Sequence, residues 1–307
     1  MDLGRLRASA QRVSFRFMRP GSVPTPGTHK SLFRGHGLNF AGYREYQHGD
    51  DIRMVDWNVT ARQNRPMLKL FEQEHATALM LVLDGSPSMT GPHPDKWEAA
   101  AALAVLFAFV GARDGERMGL AITGERGLAF TPRRGVAHAT RIAHRLERPA
   151  RAEVGTRVGT ASRARVGTAV GTGPAPALDE AIHRALRSLR TPGVLVVASD
   201  FLGTRWDAAI REAVRRHTVV GLTISTAFEH ELPAAGLVRV QDAESGATRW
   251  VDTSSAKVRA AYAQRSIALR SEIRARLVDA GAVPVAIRTD RPLIGQLASI
   301  CRVRGAA

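Results

Sequence analysis

Residues Ala78 to Leu83 read ALMLVL, an unbroken apolar run of strand length. A run with no polar alternation suits a strand buried on both faces, as in the interior of a helix-covered parallel sheet. Gly193 to Ser199 (GVLVVAS) is a second such run. Shorter strands are expected at Arg117 to Thr123, Gly127 to Phe130, Thr218 to Ile224 and Val283 to Ile287, with a hairpin-like stretch around Leu237 to Val251. Between them the period changes. Helices are expected over Asp95 to Val110, Val136 to Leu146, Trp206 to Arg216, Ser255 to Ala280 and Pro292 to Arg302. Another spans Leu178 to Leu189, where Leu178, Ile182, Ala185, Leu186 and Leu189 share one face. Strands alternating with helices predict an α/β fold, a doubly wound, mainly parallel six-stranded sheet over residues 76–307. Residues 1–75 read as an N-terminal extension, basic and partly helical over 1–34, then richer in polar and aromatic side chains.

Sheets of this kind bind ligands at the carboxyl ends of their strands, near the point where strand order reverses. The first buried run leads directly into Asp84-Gly85-Ser86-Pro87-Ser88. Its carboxylate and two hydroxyls are hard oxygen donors, the kind that Mg²⁺ takes in near-octahedral geometry. Such a motif alone also fits an Asp/Ser turn or a helix N-cap. Its context adds donors. Asp200 ends the second buried run, and Thr172 closes a Gly-rich loop just before a helix. That loop repeats Val-Gly-Thr at residues 154, 158, 166 and 170, so Thr168 is a rival to Thr172, although Thr172 directly precedes the helix.

DGSPS, GTGPAPALDEA and ASD together resemble the metal-ion-dependent adhesion site of von Willebrand factor A domains. The resemblance implies that Ser86, Ser88 and Thr172 hold Mg²⁺ or Mn²⁺ directly or through water. Asp84 and Asp200 would bind mostly through water, and an acidic residue of a partner would complete the shell. Arg34-Gly35-His36-Gly37-Leu38, Tyr43 to Arg62 (YREYQHGDDIRMVDWNVTAR), Ser199-Asp200-Phe201-Leu202, Glu231-Leu232-Pro233 and Asp242 to Gly246 resemble the bacterial domain-of-unknown-function family 58. Where such relatives tend to carry Asp-Pro, this chain has Ser225-Thr226-Ala227-Phe228. Because that family is commonly encoded beside MoxR-type AAA+ ATPases, the resemblance implies an adaptor for such an ATPase or its client. The Tyr43 to Arg62 block itself mixes acids and arginines with Trp57. It reads either as an internally salt-bridged turn or as a second partner surface.

Enzyme signatures are missing. There is no phosphate-binding G-x-x-x-x-G-K-[ST], no third glycine after Gly35-His36-Gly37, no G-x-S-x-G elbow and no H-E-x-x-H. The single cysteine, Cys301, excludes an internal disulfide and a thiolate-rich zinc site, and is expected inside the last helix. No signal peptide or spanning segment is legible, and the apolar run Ala99 to Gly111 is of buried-helix length, so a cytoplasmic protein is expected. The net charge of +16 favours an acidic partner or, as an alternative, nucleic acid. The leading expectation is a divalent-metal-dependent interaction module without catalysis; a basic nucleic-acid-binding protein and a Mg²⁺ hydrolase using Asp84 and Asp200 are the alternatives.

Overall fold

Alternate residues of a strand point to opposite faces, so a strand that is apolar throughout needs cover on both sides. The computed structural model supplies it. It describes residues 3–15, 39–47, 50, 52, 55–72, 78–91, 95–124, 128–147, 178–203, 206–241, 247–297 and 299–303. The chain divides into two units, one of residues 1–22 with 77–307 and one of residues 23–76.

The larger unit begins with α1 (Leu3–Arg12) and β1 (Val13–Phe15). In the smaller unit β2 (Asn39–Glu45) pairs antiparallel with β3 (Met67–Glu72), and α2 (Trp57–Gln63) lies between them in sequence. In the Tyr43 to Arg62 block one acid–arginine pair is described, Arg44 with Asp50. Arg44 donates to Asp50 Oδ1 at 2.7 Å, the Tyr43 hydroxyl donates to Asp56 at 3.2 Å, and Asp56 caps α2 by accepting from the Asn58 and Val59 amides.

The larger unit continues through β4 (Ala78–Leu83), α3 (Pro87–Thr90), α4 (Asp95–Arg113), β5 (Arg117–Ile122), β6 (Leu128–Arg133), α5 (Val136–Leu146), α6 (Leu178–Ser188) and β7 (Gly193–Ser199). After these come α7 (Asp207–Val214), β8 (Thr218–Ser225), a 3-10 turn (Ala227–Glu229), β9 (Leu237–Gln241), β10 (Thr248–Asp252), α8 (Ala256–Asp279), β11 (Val283–Arg288), α9 (Leu293–Gln296) and β12 (Cys301–Val303). The main sheet has six strands in the order β11-β8-β7-β4-β5-β6, parallel except for β6. Numbered by their order in the chain, its strands run 6-5-4-1-2-3, the doubly wound arrangement, and the order reverses between β4 and β7.

Leu79, Leu81 and Leu83 pack with Leu103, Leu106 and Phe107 of α4, while Met80 and Val82 pack with Ile182 of α6, Ile210 of α7 and Leu277 of α8. The mainly parallel α/β expectation is thereby met. So is the expected burial of Ala99 to Gly111, which lie in α4. No helix among the described residues is long and apolar enough to cross a membrane.

Two readings differ at the ends of the chain. Residues 3–15, placed by sequence in the extension, are built into the larger unit. Ala10 and Val13 are buried, and Arg113 at the end of α4 donates to the carbonyls of Ala10 and Val13 at 2.6 and 2.8 Å. The last helix is only Leu293–Gln296. Cys301, expected within it, instead begins β12, which pairs antiparallel with β1 across Val13↔Val303. That pairing takes up backbone groups that a longer helix would otherwise bond internally.

The β4–β7 contact also dictates a glycine. A Cβ at Gly193 would lie 2.4 Å from the Ala78 carbonyl oxygen of the neighbouring strand. Gly193→Ala is therefore expected to destabilise the protein by about 1–3 kcal/mol, seen as a lower urea midpoint with unchanged slope.

Candidate metal centre

The carboxyl ends of β4 and β7 are adjacent, so the segments that leave them share one edge of the sheet. The β4 segment starts at Asp84, whose amide still donates to the Ala198 carbonyl at 2.9 Å. Both Asp84 oxygens are engaged. Oδ1 accepts from the Ser86 amide at 2.9 Å and from the Thr123 hydroxyl at 3.2 Å, and Oδ2 accepts from the Ser199 hydroxyl at 2.6 Å. Thr123 Oγ1 also accepts from the Gly85 amide at 2.6 Å. Asp84 thus shapes the turn from beneath it. Burial pushes its pKa up and the nearby Asp200 adds to the rise, against the Ser199 and Ser86 bonds, which pull it down.

Ser86 precedes α3, with Pro87 in the first helical turn and Met89 buried as an anchor. This folds the loop so that Ser86 Oγ and Ser88 Oγ lie 3.0 Å apart. The two hydroxyls share a hydrogen bond at that distance, and roughly 3.0 Å is also the separation of neighbouring ligands on an octahedral Mg²⁺ at about 2.1 Å. From β7, Asp200 turns its Oδ2 to the Lys96 ammonium at 3.0 Å while Oδ1 accepts from the Leu202 amide at 3.2 Å. Phe201, between them, has φ of 56°, the left-handed region that a non-glycine residue enters only when its surroundings hold it there.

Lys96 bridges Asp200 to Glu229 of the 3-10 turn after β8. Burial pushes the ammonium pKa down, but the two carboxylates outweigh it and leave it above the usual lysine value. Three carboxylates, Asp84, Asp200 and Glu229, and the Lys96 ammonium thus lie along this edge. The hydroxyl and carboxylate oxygens of Ser86, Ser88, Asp84 and Asp200 are the donor type that Mg²⁺ or Mn²⁺ takes, while among the described residues no group of three or more Asp, Glu, His or Cys is arranged to hold a metal ion.

Asp84, Ser86, Ser88 and Asp200 are therefore brought to one sheet edge, at the point where strand order reverses. Thr172 and its rival Thr168 lie outside the described residues. Sequence reasoning missed Thr123, Lys96 and Glu229 as members of the site, and passed over Ser199 as a partner of Asp84. Thr123 ends its predicted strand, which was the one available signal. Lys96 and Glu229 carry none, because their partners are remote in the chain.

Residues 42–272 match the family described as protein of unknown function DUF58. Over 275 residues the chain is 29% identical to an uncharacterized protein of Mycobacterium tuberculosis, covering 88% of this chain and 81% of that one. An uncharacterized Mycobacterium avium protein is 33% identical over 128 residues, 41% of this chain and 75% of its own. Among solved structures, the conserved hypothetical protein BatB of Bacteroides thetaiotaomicron aligns at 16% identity over 73% of this chain and 95% of its own, with a TM-score of 0.40. The VWA domain of SpRpn10 aligns at 14% identity over 73% and 94%, with a TM-score of 0.38.

Proposed function

The chain belongs to the DUF58 family, proteins of unknown function, and from that premise we propose that it is a divalent-metal-dependent protein-binding module. The observation that carries the reading is the Ser86–Ser88 hydroxyl pair, 3.0 Å apart above a fully engaged Asp84 at the switch point of the sheet. Ser86 and Ser88 would hold the ion directly, and Asp84 and Asp200 would offset its charge from behind. Thr172 is the expected third hydroxyl. A bound divalent ion held largely by neutral ligands supplies an electrophilic position for a partner's carboxylate oxygen.

The residues around the site suit a partner better than a reaction. Asp84 makes a poor nucleophile, since both of its oxygens already accept hydrogen bonds. Leu202 and Phe228, each close in sequence to an acid of the site, are 48% and 58% exposed and offer apolar contact to a docked surface. The partner we favour is an acidic surface on a MoxR-type AAA+ ATPase or on its client, the class that the sequence resemblance implies.

The test is titration of Mn²⁺ into the wild type and into the Asp84→Asn, Asp200→Asn double variant, read by calorimetry and by thermal shift. Asparagine can still accept from the Ser86 amide and can donate to Ser199, so the variant is expected to fold. Wild type should bind, with affinity in the variant lowered by about 100-fold or more as the two offsetting charges are lost. Equal affinity in both proteins rejects the site.

A further inference from the structure

A buried ammonium needs a reason. Lys96 sits in the first turn of α4 at 4% exposure, where an unpaired charge would be prohibitive. One carboxylate would satisfy it, yet it is held by two that arrive from different strands. Asp200 follows β7, and Glu229 lies in the turn after β8. Glu229 is itself fixed. Its Oε2 accepts from the Thr226 amide at 3.1 Å, and its carbonyl accepts from Ser266 and Arg270 of α8. The ammonium is thus shared between an acid assigned to the metal and an acid braced outside that set.

We propose that Lys96 is the resident counter-cation of the metal centre, competing with a divalent ion for Asp200, and that Glu229 is the acceptor that keeps the ammonium when Asp200 turns to the ion. The inference rests on the metal-binding reading above. In the metal-free protein Lys96 neutralises Asp200, so that it does not face Asp84 as a bare like charge. The same contact weakens metal binding by placing a positive charge where the ion's charge must go. Glu229 acts in the opposite sense by drawing the ammonium away. Both are positioning residues, neither being assigned as a ligand.

Opposed roles predict opposed effects in the full-length chain, measured by Mn²⁺ calorimetry and by thermal shift with and without Mn²⁺. Lys96→Met should tighten Mn²⁺ binding by a factor on the order of ten or more, because one competing charge is removed. It should also lower metal-free stability, so that its Mn²⁺-induced thermal shift exceeds that of wild type. Glu229→Gln should weaken binding by a factor on the order of three to ten, because the ammonium is left wholly to Asp200. The glutamine oxygen can still accept from the Thr226 amide, so the turn should survive and this variant carries the test alone if Lys96→Met does not fold. Weakening in both variants would make Lys96 a structural tie and overturn the proposal. Unchanged affinity in both, with wild type binding, would overturn it and leave the metal reading standing. No binding in any of the three proteins would overturn both.

Discussion

Trp206→Ala is expected to cost about 3–5 kcal/mol of folding free energy, as other large-to-small aromatic truncations in cores do. Trp206 is among the largest fully buried side chains, and it holds the turn that carries Asp200. Its ring meets Phe201 edge-on with centroids 5.0 Å apart, and its indole N–H donates to the Phe201 carbonyl at 3.2 Å. Phe201 is the residue with left-handed backbone, so these contacts help hold a conformation that costs a non-glycine residue about 1–2 kcal/mol. The Trp206 ring also carries the Arg276 guanidinium, 4.5 Å from its centroid and itself paired through two nitrogens with Asp207. One side chain therefore ties α7, α8 and the Asp200 turn together. Urea unfolding should show the loss in Trp206→Ala. Trp206→Phe, which keeps a ring but no N–H, should lose less stability and still weaken the Mn²⁺ response if the Phe201 carbonyl bond positions Asp200. A Trp206→Ala protein as stable as wild type would show that the core closes over the gap and that the brace is not needed.

The elements that sequence placed well are those whose pattern is local. ALMLVL and GVLVVAS coincide with β4 and β7 because burial on both faces leaves an uninterrupted apolar run. The helix expected over Val136 to Leu146 is α5 with the same bounds, and the hairpin-like stretch near Leu237 to Val251 holds β9 paired with β10. The misplacements have one cause. β1 and β12 are three residues each and exist because they pair with one another across nearly the whole chain, so no local period announces them. The 3-10 turn and the α1–α4 packing are likewise tertiary facts. At the site, Asp84, Ser86 and Ser88 were legible as a short motif, and Asp200 as the acid that closes a buried strand. Lys96 was not, because a lysine at the start of a helix reads as solvated until its partner 104 residues away is known. The +16 charge of the sequence locates no surface.

The net charge and the metal centre should act on one partner through different rate constants. Ser86→Ala with Ser88→Ala removes the paired hydroxyls but leaves the overall charge and the Asp84 bonds to Thr123 and Ser199 in place. Binding to the proposed partner, a MoxR-type AAA+ ATPase or its client, should weaken by about 2–5 kcal/mol, the range for losing one side of a desolvated charge contact, and mainly through faster dissociation. Chelation of the metal by EDTA should do the same to wild type and nothing further to the double variant. Added salt should behave differently. At about 0.15 M salt, charges more than roughly 8 Å apart are largely screened, so steering by the net positive charge fades and association slows, while dissociation changes little. Salt and serine effects should therefore add, one on each rate constant. If the serine variant binds as wild type does and EDTA changes nothing, recognition does not pass through the hydroxyl pair. If salt alone abolishes binding and nucleic acid competes with the partner, recognition runs through the positive charge rather than the metal, and the metal-dependent reading falls.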